Sequence, residues 1–126
     1  MFDWDNFQIL AEELRRKEDE ASQRTSVSRL YYSVYWKARI FLENDGFQVR
    51  DNAGKGSHEQ VWSEFNRREG INNKAIYRNG DELKKNRVKA DYVPEITKPK
   101  EFVEDSFRIA NNALTYLNQI AFQKDA

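Results

Sequence analysis

The segment 83–92 contains three lysines, an arginine and an aspartate, residue types that could bind a phosphate or form an ion pair. Arg87 lies four residues before Asp91, so a helix would place the two side chains on one face and let them pair. One interpretation is a structural ion pair that closes the end of the helix. The other is an arginine directed at a phosphate or ribose, with lysines that attract the strand. The nucleic-acid-binding candidates are Lys84, Lys85, Arg87 and Lys89.

His58 is the only histidine, and it stands at the predicted start of a short helix. The positive end of a helix dipole disfavours protonated imidazole, so a neutral histidine that holds the adjacent loop by hydrogen bonding is the simpler interpretation. The alternative is a general base. No recognisable catalytic triad includes it. A single histidine, in a chain without cysteines, cannot supply a zinc site unless several carboxylates converge on it, and we predict no metal site. We also predict no cofactor.

Residues 25–42 are rich in aromatic side chains and introduce a second arginine. At helical spacing they form an apolar stripe and, beside it, a polar-aromatic face with Arg29, Tyr32, Ser33 and Trp36. A helix that is aromatic on two faces is predicted to be central and buried on more than one side. Arg29 then needs a partner, since an unpaired buried charge is costly. Asp91 is the favoured partner, and an anion site shared with Arg87 is the alternative.

Length and composition predict one domain over residues 1–126 with an apolar core. No run of 18 apolar residues occurs, so we expect no membrane span. The N-terminus does not resemble a secretory signal, and we expect a cytoplasmic protein of a prokaryote or phage. Residues 1–21 carry a charge of −4 and residues 67–100 a charge of +5. This asymmetry indicates either complementary helix faces inside a bundle or a nucleic-acid surface.

Hydrophobic periodicity predicts an all-α, up-and-down bundle of four long helices and one short helix. The first covers about 4–20 with Asp3 as N-cap, and the second begins near Thr25 or Ser26. A loop over 46–57 leads to the short helix, where Ser57 and Gln60 fit a capping box. The fourth helix contains Gly80, a weak point for helix formation, and the fifth begins near Pro99.

The chain resembles the HEPN family of small helical-bundle proteins. The resemblance rests on residues 28–39 (SRLYYSVYWKAR), on Ser57-His58, and on residues 87–92 (RVKADY). It implies a bundle that is usually dimeric and often encoded beside a minimal nucleotidyltransferase, in toxin–antitoxin or defence systems of prokaryotes. Active members cleave RNA without metal by means of an arginine followed, after four to six residues, by a histidine.

This chain departs from that nuclease motif. No histidine follows Arg87, and seven residues separate Arg50 from His58. Tyr92 stands five positions after Arg87, and tyrosine, with a pKa of about 10, is a poor base at neutral pH. We therefore expect a non-canonical member that binds RNA or a nucleotidyltransferase partner. The alternative is a metal-independent RNase toxin, with histidine moving the 2′-hydroxyl proton and arginine stabilising the phosphorane, whose candidate catalytic residues are Arg29, His58, Arg87 and Asp91.

Two further expectations concern partners. By analogy with the family, Tyr92 is a candidate acceptor of a nucleotidyl group from a nucleotidyltransferase. The number of aromatic side chains, including Trp4, Trp36 and Trp62, exceeds what one core-facing stripe hides, and this favours a homodimer.

Overall fold

The computed structural model describes residues 1–125 as an all-α bundle, which confirms the predicted fold class. No strand occurs within that range. None of the helices described is both long and apolar enough to cross a membrane. The five helices are α1 Asp5–Arg15, α2 Glu20–Asn44, α3 Ser57–Arg67, α4 Ile71–Tyr92 and α5 Pro99–Asp125.

Helix α2 is the centre of the bundle, as its aromatic content predicts, and it packs against each of the other four helices. Its apolar stripe is buried, with Val27, Tyr31 and Leu42 fully inaccessible to solvent. The predicted stripe of α5 also faces the core, through Val103 and Phe107 among others. Burial of these two stripes removes apolar surface from water and so stabilises the bundle.

The boundary between α1 and α2 lies earlier than the sequence pattern predicts. Helix α1 ends at Arg15, and α2 begins at Glu20 instead of near Thr25 or Ser26. The reason is a cap at Asp19, whose extended backbone lets its carboxylate accept the N–H of Ser22 at 2.9 Å. As a result, α1 has 11 residues, the same length as α3.

The predicted capping box at α3 is wrong. Gly56 is the N-cap residue, and the Gln60 side chain bonds to the preceding loop instead of the helix start. Its Oε1 accepts the N–H of Arg50, while its Nε2 donates to the carbonyls of Arg50 and Lys55. Gln60 thus holds the loop against α3.

Gly80 makes a close contact between helices that its low helix propensity does not suggest. The buried ring of Trp62 from α3 lies directly against the Gly80 backbone of α4. A side chain at position 80 would occupy the space of that ring. The glycine therefore allows α3 and α4 to pack closely, and it fixes where Trp62 sits.

Arg24 ties α2 to the end of α4. Its guanidinium donates to the carbonyls of Ala90, Val93 and Pro94, and its Nε pairs with Glu20 at 3.0 Å. These contacts satisfy carbonyl groups where α4 stops and the loop toward α5 begins. The end of α4 that carries Asp91 is thereby held beside α2.

Candidate functional site

The candidate residues meet along the side of α2 that lies between α1 and the α3–α4 pair. Arg29 reaches α1, with its guanidinium carbon 5.0 Å from the ring centre of Phe7. On the other side, the His58 ring of α3 stacks on Tyr35 at 4.1 Å between centres. The strip of α2 between these contacts, including Tyr32 and Trp36, remains half-buried.

A buried hydrogen-bond chain fixes the position of His58. The indole N–H of Trp62 donates to the Tyr31 hydroxyl at 3.0 Å, and that hydroxyl lies 2.6 Å from Nδ1 of His58. Indole is only a donor, so the hydroxyl accepts from Trp62, and its own proton is then available to Nδ1. We therefore assign the proton of the neutral imidazole to Nε2. His58 presents a donor, and its basic nitrogen is already occupied.

The surroundings of His58 also oppose its protonation. Burial, followed by the positive charges of Arg87, Lys84 and Arg39, lowers the pKa of His58 to about 4. Burial likewise raises the pKa of the Tyr31 hydroxyl. At neutral pH both groups are uncharged, which agrees with the simpler interpretation of His58 and gives a weak general base.

We expect the single histidine to titrate near pH 4 in the folded protein, measured by NMR of its C2 proton. Its pKa is lower in the folded than in the unfolded chain, so unfolding takes up a proton as pH falls below about 6.5. The free energy of unfolding should therefore decrease between pH 6.5 and 4 through this group. His58→Gln should lack the part of that slope above pH 5, where few carboxylates titrate. A folded-state midpoint near 6.5 would contradict the assignment.

Arg29, Asp91 and Arg87 are linked through Ser28. Asp91 accepts from Arg87 Nη1 at 3.4 Å and from the Ser28 hydroxyl at 3.5 Å, and Arg29 Nη2 donates to that hydroxyl at 3.2 Å. The expected pairing of Arg87 with Asp91 is present. The expected direct pair between Arg29 and Asp91 is not among the ion pairs that the described side chains (residues 1–123) form, because Ser28 lies between the two.

Two guanidinium groups share one aromatic ring. The guanidinium carbons of Arg29 and Arg87 lie 5.4 and 5.6 Å from the ring centre of Tyr32. The Nε of each arginine is buried and has no hydrogen-bond partner. Asp91 is the one carboxylate that the described contacts place beside them, so positive charge exceeds negative charge here. The geometry thus agrees in part with both interpretations of Arg29, a partner of Asp91 and half of an anion site with Arg87.

The basic residues of α4 divide between two faces. Lys84 lies close enough to His58 to lower its pKa. Lys85 and Lys89 lie about 160° around the helix from Arg87, and Lys85 pairs instead with Asp81. Of the four predicted nucleic-acid-binding residues, only Lys84 and Arg87 face the histidine.

The sequence analysis did not identify Arg39 as a further cation beside these rings. Arg39 stacks over Trp36 at 4.7 Å, bonds to the Tyr35 hydroxyl, and pairs with Glu43 at 3.4 Å. It follows Tyr32 by seven residues, a helical repeat that could have revealed it. With it, four cations surround three rings, a surface that we call the aromatic-cationic face: Arg29, Tyr32, Trp36, Arg39, His58, Lys84 and Arg87.

Tyr92 lies apart from this face, at the last position of α4, and it is 73% exposed.

Chemically, the face can hold anions by charge and planar groups by stacking. Across the described part of the chain, no cluster of three or more His, Asp or Glu side chains could hold a metal ion. Comparison of the chain with protein-family models, curated proteins and solved structures gives no match.

Proposed function

We propose that this chain is a HEPN-like protein that binds single-stranded RNA on the aromatic-cationic face, without the nuclease chemistry of active family members. The observation that carries the proposal is the alternation of guanidinium groups with half-buried rings, centred on Tyr32 between Arg29 and Arg87. Proteins that bind single strands use this combination, because cations pair with phosphates and aromatic rings stack on bases. The choice of RNA and the prokaryotic toxin–antitoxin or defence setting come from the family resemblance.

The state of His58 favours binding over cleavage. Arg29, His58, Arg87 and Asp91 lie near one another, as the RNase alternative requires, but the imidazole is a neutral donor with a pKa of about 4. A general acid or base works best when its pKa lies near the operating pH. His58 can instead donate its Nε2–H to a phosphate or a base.

Fluorescence anisotropy with a short labelled RNA, without metal, tests the proposal. We expect binding to single-stranded RNA that weakens with salt, with a logarithmic slope of about −3 if four cations contact phosphates. Duplex RNA should bind more weakly, because its bases are not free to stack. The absence of binding at low salt would overturn the proposal. Cleavage of the RNA that Arg87→Ala abolishes would overturn it in favour of the RNase alternative.

A nucleotidyltransferase partner belongs to the same proposal, and the exposure of Tyr92 supports it. A hydroxyl at the end of α4 with 73% of its residue surface accessible can enter another enzyme's active site. Co-expression with a minimal nucleotidyltransferase should add nucleotide mass, and Tyr92→Phe should prevent the addition. An unchanged intact mass would contradict the transfer of a nucleotidyl group to Tyr92.

We also propose a homodimer. The exposed side chains of Phe2, Ile71 and Phe122 provide apolar surface for its interface, and sedimentation measurements test it.

A further inference from the structure

A cleft of about 520 Å³ lies on a different part of the molecule. It opens between the end of α2, the segment 46–55 and one side of α3. This volume lies within the range of small-molecule sites, roughly 300–1,000 Å³. Phe47, itself half-buried against the core, gives the cleft an apolar wall.

The loop wall of this cleft is held in a defined shape. Gln60 bonds to the backbone of Arg50 and of Lys55, at 2.8–2.9 Å in all three contacts. One side chain of α3 therefore fixes both loop residues that carry a positive charge. The basic groups at the cleft are anchored through their backbones, which reduces the ordering cost of binding a ligand.

The charges inside the cleft are unevenly balanced. The buried carboxylate of Glu64 accepts from Arg67 and Arg68, and these contacts, led by the hydrogen bond from Arg67, hold its pKa below the ordinary value. Arg68 also pairs with Asp45 at 2.7 Å. Two carboxylates are thus neutralised by two arginines.

Arg50 and Lys55 add two further positive charges to the lining of the cleft. Neither takes part in any ion pair found among the side chains of residues 1–123. Both are exposed and line the cleft. The cleft therefore has a net charge of +2, carried by the loop.

This cleft is separate from the aromatic-cationic face. Gln60 and Arg67 lie about 160–180° around α3 from His58, so the helix stands between the two sites. None of the seven residues of the face lines the cleft. A ligand here would not compete directly with one bound beside Arg29 and Arg87.

We propose that the cleft binds a small phosphorylated ligand of nucleotide size. Arg50 and Lys55 would pair with the phosphate, which carries close to two negative charges at neutral pH. The apolar wall at Phe47 would contact the organic part of the ligand. Net charge, volume and the anchored loop each match that chemistry, and none of them depends on RNA binding at the other site.

Isothermal titration calorimetry with AMP tests this site, with adenosine as the uncharged comparison. We expect AMP to bind and adenosine to bind at least tenfold more weakly. The double substitution Arg50→Gln, Lys55→Gln should weaken AMP binding at least tenfold. The control pair Lys98→Gln, Lys100→Gln removes the same charge at the start of α5 and should leave it unchanged. Because all four side chains are exposed, the variants should keep wild-type circular dichroism spectra.

Gln60→Ala tests the anchored loop separately. It removes no charge, yet it should weaken AMP binding because Arg50 and Lys55 lose their fixed backbone positions. Failure of AMP to bind, or equal binding of adenosine, would overturn the proposal. Loss of AMP binding on Arg29→Met, Arg87→Met with none on Arg50→Gln, Lys55→Gln would also overturn it, and would leave RNA binding by the aromatic-cationic face standing.

Discussion

Gly80→Ala should lower the free energy of unfolding by about 2 kcal/mol, although alanine favours a helix by about 1 kcal/mol over glycine. A Cβ at position 80 would lie inside van der Waals contact with Cε3, Cζ3 and Cη2 of Trp62. The ring is buried and cannot move into solvent without losing its packing. Overpacking therefore outweighs helix propensity.

The same substitution should disturb the candidate site from a distance. Trp62 donates to Tyr31, and Tyr31 holds His58, so a displaced indole releases the imidazole. Urea denaturation followed by far-ultraviolet circular dichroism measures the stability change, and NMR of the histidine reports the site.

Gly56→Ala is the matched control for this prediction. Its Cβ would meet nothing within 4 Å, and its φ of −67° suits any residue. We expect it to lower stability by about 1 kcal/mol or less, the cost of replacing glycine by alanine, a poorer N-cap residue. A Gly80→Ala protein as stable as the wild type would show that Trp62 has room to shift and would contradict the packing argument.

Replacing Arg29 and Arg87 together by methionine should weaken binding of single-stranded RNA about 100-fold. Each arginine can make a charge-assisted hydrogen bond worth about 1.5–3 kcal/mol, so losing both removes about 3 kcal/mol or more. Methionine keeps much of the apolar stem, which preserves packing on Tyr32. Both arginines have a buried Nε without a partner, so stability should fall little.

The control for the arginine pair is Lys85→Met, Lys89→Met. It removes the same charge from the opposite side of α4, and we expect it to weaken RNA binding only a few-fold through long-range attraction. Anisotropy titrations at matched salt compare the two variants. Equal losses would indicate general electrostatic attraction and would contradict a defined site at Tyr32.

The sequence predicted the helices well because their signals are local. The stripe of α2 and the stripe of α5 recur at 3.6 residues, and burial of such a stripe is the main reason a helix forms in a protein. Pro99 marked the start of α5 correctly, because proline suits the first helical position. The predicted start of α2 and the predicted capping box of α3 were wrong. In each case one polar side chain, Asp19 or Gln60, has a hydrogen-bond partner that local spacing did not indicate.

The candidate site was predictable only in part. Arg87 and Asp91 share one helix, so their spacing sufficed to predict the pair that the structure contains. Arg29 and Asp91 belong to different helices, and a difference of one small side chain, Ser28, decided that they meet indirectly. The separation of Lys85 and Lys89 from Lys84 followed from which side of α4 faces α2.

The sequence by itself determined an all-α bundle, a central aromatic helix, and the residue types available for binding. Only the tertiary structure decided that Trp62 and Tyr31 fix the position of His58, that Gly80 is a packing requirement, and that Arg29 and Arg87 share the ring of Tyr32. The physical reason is the separation along the chain over which each interaction acts. Periodicity and capping act within a few residues. These contacts instead depend on how closely α2, α3 and α4 pack, and shifts smaller than one side chain would change them.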